Sequence, residues 1–379
     1  MLWLAFKTLF HEKGRLIITL IGITISTVLA LIEVAIYLGM MGNATAVIRH
    51  TDADIWIGSK NIQSFDFALP FPEHRINQVR AFSDVQWADK IILTFAFVKL
   101  ADGRREQVQV IAYNPDTGVG APWAMLEGRA EDVKGGHYMI LDKTSEQRLG
   151  RLELGSQWEL TFVKEHSFKL VGLSQGIKSF TTIPVMFMSY NQFQPLLADM
   201  ALANHTAYIV AKLKDPAQAQ AVAQALRVAL RDNDVFTRDE FVYQTVMYWT
   251  VQTGMGMAFF LTAILAVLIG GAIVGQAIFA FTMEHLREYG TLKALGARNS
   301  DLYLVIFSQT VISAVIGYAL GVAIIFLVRD GIEQAGVDLY VSPILLVVLF
   351  FTLLLVCLAA AYVSVRKVRM LDPVTVFKA

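Results

Sequence analysis

The sequence predicts an α+β membrane protein: four transmembrane helices, with a large extracytoplasmic α+β domain inserted between the first and the second. Three observations predict it. Residues 16–41, 254–283, 302–328 and 344–364 are apolar runs of at least the ~20 residues that cross a bilayer. Between the first two runs lie roughly 200 residues in which charge and turn signals return, enough for one or two compact domains. The basic residues gather at the run ends that an even number of crossings puts on one side. Lys7, Lys13 and Arg15 precede the first run, Arg287, Lys293 and Arg298 follow the second, and Arg366, Lys367 and Arg369 follow the fourth. The loop at 329–343 carries one arginine and three acids. Basic loops stay on the cytoplasmic side, so both termini are expected there and the inserted domain outside.

Composition excludes several classes. With 55% hydrophobic and 17% charged residues, an ordinary soluble protein is not expected, and a formal net charge of zero argues against a nucleic-acid partner. Cys357 is the single cysteine, so no intrachain disulfide can form. The seven histidines (11, 50, 74, 137, 166, 205, 285) include no HxxxH pair, and no zinc site is written locally. Gly-Lys never occurs, which removes a phosphate-binding loop of the GxxxxGK[ST] type. If nucleotide hydrolysis drives this protein, another chain performs it. No nucleophile with a base is legible either, so the chain is not expected to be an enzyme and should bind no cofactor of its own.

In order along the chain, residues 1–15 place Leu2, Phe6, Leu9 and Phe10 toward one side of a helix, with Lys7, His11 and Lys13 polar. An interfacial helix fits, and the alternative is the start of the first span. The run at 16–41 is longer than the ~7–15 apolar residues of a signal sequence, so it reads as a retained span despite the cleavage-like Ala44-Thr45-Ala46. In the domain at 42–250, residues 72–82 read as a short helix. Residues 85–100 and 104–113 read as a hairpin closed by Asp102-Gly103. Strands are expected at 158–163, 168–173, 184–188 and 207–213, and helices at 190–199 and 216–231, the last capped by Asp215 with Pro216 in its first turn. The first and last parts of the domain are expected to form one subdomain and residues 117–203 a second. The spans follow at 251–283, 302–328 and 344–364, and the chain ends in a cytoplasmic tail at 365–379. The first two runs exceed a ~30 Å core, so both are expected to project as a stalk into the outer domain.

The stretch organising all this lies between the second and third spans, at 284–301. It carries Glu284, Arg287, Glu288, Lys293, Arg298 and Asp301, while Leu286, Tyr289, Leu292 and Leu295 recur every third residue. That spacing predicts a short amphipathic helix at the membrane surface. Gly296 is a stop, and Asn299 or Ser300 a cap for the next helix. A soluble partner could push on the membrane part here. Gly271 with Gly275 and Gly317 with Gly321 are GxxxG pairs, read as helix packing within one bundle, or as an interface between two copies. Glu33 lies in the outer half of the first run; it either lines a substrate pathway or reaches interfacial water. Phe65, Phe67, Phe71, Met186, Phe187 and Met188 are read as core, with a greasy ligand as the alternative.

This architecture, together with Arg287, Glu288, Tyr289, Gly290, Thr291, Leu292, Lys293, Ala294, Leu295, Gly296 and Ala297, resembles the FtsX/MacB-type permeases of ATP-binding-cassette systems. The family pattern has one more residue between its arginine and glutamate. The tail Asp372-Pro373-Val374-Thr375-Val376-Phe377 is similar to the family's closing motif, and Asp52-Ala53-Asp54-Ile55-Trp56 looks most like the DevC branch. The resemblance implies a MacB-like periplasmic core domain and a multi-pass protein of the bacterial inner membrane. It implies a homodimer paired with two copies of a cytoplasmic ATPase, which holds the ATP and Mg, and Glu284 with 287–297 as the surface coupled to that ATPase. A periplasmic adaptor protein and an outer-membrane channel are further implied partners. The implied work is mechanotransmission for export or extraction of hydrophobic or amphipathic cargo. The alternative is an FtsX-like transducer that transports nothing and activates an envelope enzyme.

Overall fold

The computed structural model describes residues 2–369 apart from 101 and 182; the motif expected at 372–377 lies outside the described residues. In chain order the elements are α1 (Leu2–His11), α2 (Lys13–His50), β1 (Ile55–Ser59), β2 (Phe71–Pro72), α3 (Arg75–Arg80), β3 (Val85–Lys99), β4 (Arg105–Tyr113) and β5 (Met125–Glu127). There follow β6 (Tyr138–Asp142), α4 (Glu146–Leu149), β7 (Gln157–Thr161), β8 (Glu165–Ser174), β9 (Val185–Ser189), α5 (Tyr190–Asp199), β10 (His205–Thr206) and β11 (Tyr208–Leu213). The last are α6 (Ala219–Ala229), β12 (Asn233–Thr237), α7 (Arg238–Met247), α8 (Met255–Glu284), α9 (Leu286–Ala294), α10 (Asn299–Gln334) and α11 (Pro343–Arg369). Two compact units result: Met1–Gly39 with Gly256–Ala379, and Met40–Met255.

The second unit is built on one sheet of order β12-β1-β11-β3-β4-β9-β6-β8-β5, with β7 also pairing β3 and β8. The β4/β9 and β6/β8 pairs are parallel and the others antiparallel. Side chains alternate between its faces, as a pleated strand requires. In β9, Val185 and Phe187 join a core with Trp56, Phe65, Tyr208 and Phe241, while Met186 and Met188 join another with Phe193, Leu196 and Leu197 of α5. Ile55 and Ile57 of β1 face a third core under α3 and α6. The aromatic and methionine scatter is therefore core, except Phe67, which is 49% exposed.

The hairpin at Asp102-Gly103 forms as expected, because Gly103 takes φ +84 and the Asp102 carboxylate accepts from the Arg104 N–H at 3.0 Å. Asp215 accepts from the Ala217 N–H at 3.0 Å and so caps the turn leading into α6. The strands within 117–203 continue the same sheet, β9 beside β4 and β7 beside β3. One expectation about the architecture needs correcting. Only the first span runs on unbroken: α2 extends to His50, whereas α8 starts at Met255, after a π-helical turn at Tyr248–Gln252 and Gly254 at φ +72. A left-handed residue interrupts the helical hydrogen bonds at that point.

Among the described residues four helices are long and apolar enough to cross a membrane, α2, α8, α10 and Pro343–Tyr362 of α11, and the first unit holds them but for the ends of α2 and α8. Among hydrocarbon chains there is no hydrophobic drive between helices, so close backbone approach must supply the packing. An added Cβ at Gly271 would lie 2.3 Å from Val356 and one at Gly275 2.9 Å from Ala360, both on α11. At Gly317 and Gly321 it would lie 2.6 Å from Ile23 and from Thr27, on α2. Both GxxxG pairs thus face helices of the same chain. The N-terminal helix α1 is separated from α2 at Glu12. Its Ala5 and Leu9 are buried while Trp3, Phe6 and Phe10 are exposed, so its apolar residues divide between a packed side and an outward one.

Two glycine-to-alanine changes in α10 should have opposite signs. Gly321→Ala drives a methyl into Thr27 and should lower the melting temperature of the full chain in detergent. At Gly331 nothing lies within 4 Å, so Gly331→Ala should be neutral or stabilise by up to ~1 kcal/mol. Equal shifts in thermal unfolding of the two variants would refute the close-approach account.

Candidate coupling site

Helix α8 ends at Glu284, and a single residue, His285 at φ −89 and ψ 15, separates it from α9. His285 Nδ1 donates to the Phe281 carbonyl at 3.0 Å, and its ring stacks on Phe281 with centroids 4.2 Å apart. Within α9, Tyr289 is 4% exposed and belongs to the same core as Ile278, Leu302 and Ile306, with Leu292 half-buried against it. Burial, followed by the neighbouring Glu288, raises the Tyr289 hydroxyl above its ordinary pKa, so it stays neutral. Gly290 is buried beside it.

The opposite side of α9 is open: Arg287, Glu288, Thr291 and Ala294 are exposed, and Leu295 is 80% exposed. The expected stripe is therefore shorter than its spacing suggested. Leu295 is already the C-cap, and the turn that ends the helix swings it outward. That turn is a Schellman motif: Gly296 at φ +95 donates to the Lys293 carbonyl at 3.0 Å, and Ala297 donates to Leu292 at 3.0 Å. Gly296 stops the helix as read from sequence. The cap of α10 does not follow the expectation, because Arg298 takes the N-cap position instead of Asn299 or Ser300. Asp301 decides this by accepting from the Arg298 backbone N–H at 2.9 Å. Between α1, α9 and α10 lies a groove of about 290 Å³ lined by Thr8, Phe281, His285, Glu288, Leu292 and Val305 among others.

The remaining predicted site residues lie apart from this cluster. The four glycines are packing positions along α8 and α10. Glu33 is half-buried on α2, with no hydrogen bond or ion pair among the described residues.

In the other unit a cavity of about 740 Å³ is lined by His50, Trp87, Asp89 and Asn114 among others. The Asp89 carboxylate accepts from Lys90 N–H at 2.8 Å and Asn114 at 3.1 Å, and the His50 ring is stacked on Trp123 at 3.9 Å. Among the described residues no group of three or more His, Cys, Asp or Glu could hold a metal. One carboxylate missed from sequence is perturbed. Asp66 Oδ1 accepts from Gln109 at 3.2 Å, and the carboxyl also faces the indole N–H of Trp249 in the π-helical turn. Burial pushes Asp66 up to about 6, with the Gln109 and Trp249 hydrogen bonds pulling partly back.

Comparison with known proteins decides the family. Residues 16–229, more than half of the chain, match the MacB-like periplasmic core domain, and residues 260–373 match the FtsX-like permease C-terminal region. The chain belongs to the MacB-like family. Its α+β core domain and its candidate spans correspond to these two matched regions, and the α9 site falls within the second. The MacB-like chain is 23% identical over 258 residues to the macrolide export ATP-binding/permease protein MacB of Escherichia coli strain K12, covering 66% of this chain and 38% of that protein. To MacB of Psychrobacter arcticus it is 23% identical over 208 residues, 54% of this chain and 30% of that one. It therefore spans well under half the length of these curated relatives. The periplasmic region of MacB from Actinobacillus actinomycetemcomitans aligns with TM-score 0.39 at 14% identity, over 52% of this chain and 95% of that one. The extracellular domain of the ABC-type transporter YknZ from Gram-positive bacteria aligns with TM-score 0.36 at 13% identity, over 48% and 98%.

Asp66 gives the MacB-like core domain a pH dependence whose sign follows from its raised pKa. The folded domain holds this proton more tightly than the unfolded chain, so stability falls as pH rises from about 4 to about 6 and the full penalty stands above that. Asp66→Asn should stabilise the domain at pH 7.5 by roughly 1–3 kcal/mol, with the advantage gone at pH 4. Thermal unfolding at the two pH values, showing an advantage independent of pH, would rule this out.

Proposed function

We propose that this MacB-like permease is the membrane subunit of an ATP-binding-cassette complex. It couples ATP hydrolysis by a separate cytoplasmic ATPase to movement of its periplasmic domain, and so exports or extracts hydrophobic or amphipathic cargo. The observation that carries this is α9 itself. One side is anchored by Tyr289 in the packed core of the helix bundle, and the other presents Arg287, Glu288, Thr291 and Leu295 to a partner. An exposed leucine flanked by charges is how a small, specific docking knob is built: an apolar anchor with a polar rim. The curated relatives are named as ATP-binding/permease proteins, and this chain matches only part of their length. ATP and Mg are assigned to the partner.

In this reading two copies of the permease pair with two ATPases, and a periplasmic adaptor and an outer-membrane channel complete the export route, as in the DevC branch. In this reading both termini and α9 lie at the cytoplasmic face of the inner membrane, which the basic residues near 7–15 and 287–298 support. Force enters at α9 and leaves through α2, which is unbroken from Lys13 to His50. Glu33, unpaired on that helix, is assigned to the cargo route.

Two measurements test the proposal. Glu288→Arg with Leu295→Ser should cut co-purification of the ATPase with the tagged, membrane-inserted chain by about tenfold or more, equivalent to ~1.4 kcal/mol. An ATPase retained at parental stoichiometry and activity would refute docking on α9. Glu33→Gln should lower cargo export while the ATPase stays bound, and unchanged export and stimulated ATPase activity would remove Glu33 from the route.

A further inference from the structure

Among the described residues two one-residue helix breaks meet. Glu12 separates α1 from α2, and His285 separates α8 from α9. Glu12 Oε1 lies 3.2 Å from His285 Nε2. Arg15, on the first turn of α2, pairs with Glu12 Oε2 at 3.2 Å and also with Glu284, the last residue of α8. Each side of the contact is anchored in turn. His285 is held by the Phe281 carbonyl, and α1 is tied to α10 where the buried Gln309 donates to Thr8 Oγ1 at 2.9 Å.

We infer that Glu12 and Arg15 are positioning residues of the coupling site, clamping the two breaks together so that α9, the end of α8 and the start of α2 move as one body. The inference rests on α9 as the ATPase-facing helix only for its use; the clamp is a property of the chain alone. A single non-helical residue transmits little torque, so a push on α9 would be spent in bending at His285 unless something outside the backbone fixed the angle. The clamp supplies that, and it connects α9 to α2, more than 260 residues earlier in the chain. Partly exposed ion pairs contribute little to stability individually, so the expected consequence of losing them is a change of angle rather than unfolding. Side-chain exposures of 27% for Glu12 and 18% for His285, against 59% for Glu284, make the Glu12–His285 contact the better sheltered of the two.

The test uses the full chain in lipid nanodiscs with Cys357→Ala, nitroxide labels at the exposed Thr291 of α9 and Ile17 of α2, and pulsed electron–electron distance measurement. Diluted with excess unlabelled chain so that only distances within one copy are read, the parent should give one narrow distance. Glu12→Ala and the milder Arg15→Gln should lose it to a broad distribution, while circular dichroism and elution are unchanged. Arg15→Glu, which sets a third carboxylate between Glu12 and Glu284, should also broaden it, whereas Arg15→Lys, which keeps a cation between them, should hold the narrow peak. Parental narrow distances in Glu12→Ala and Arg15→Gln would overturn the clamp, as would a distribution as broad in Arg15→Lys as in Arg15→Glu. No ATPase is needed, so the clamp can stand if docking on α9 fails, and docking can stand if the clamp fails.

Discussion

A nine-residue helix is too short to hold its own shape in water, so α9 depends on what its neighbours supply. Tyr289 supplies most of it. Its ring sits in the core shared by α8 and α10, and the Schellman turn at Gly296 closes the far end. Everything assigned to this site follows from that anchorage: with one side buried, the other side is held out rigidly, and its charges and Leu295 become a surface instead of a mobile loop. Remove the anchorage and the same residues would present no fixed shape to a partner.

The anchorage is only as firm as the bundle behind it, and that bundle is assembled by steric fit. Gly271 and Gly275 let α11 approach α8, and Gly317 and Gly321 let α2 approach α10. Side-chain hydroxyls then bridge the narrow gaps: Ser26 donates to the Ala266 carbonyl at 2.6 Å and Thr24 to the Gly317 carbonyl at 3.2 Å. In lipid, such contacts replace the hydrophobic drive that packs the three cores of the other unit. The two units are thus stabilised by different physics within a single chain.

Much of this was legible in the sequence where the signal is local. The hairpin at Asp102-Gly103, the capped turn at Asp215 and the stop at Gly296 each rest on residues within a few positions of one another. Strands β1 and β6 were not assigned, because they are buried on both faces and show no alternation to read. Leu295 fits the three-residue spacing but falls one position past the end of the helix, where periodicity no longer dictates direction. The cap at Arg298 was missed because its decisive partner is the backbone-accepting carboxylate of Asp301, so the residue type at the cap carried no signal.

The sequence by itself determined the class of molecule, the number of candidate spans, the inserted domain and the position of the amphipathic turn. Each follows from composition and periodicity, which act between near neighbours. Only the tertiary structure decided that the GxxxG pairs face helices of the same chain, that the Asp66 carboxyl is buried beside Gln109 and Trp249, and that Glu12 and Arg15 reach His285 and Glu284. Those are meetings of residues far apart in the chain, and nothing in the spacing of either partner announces the other.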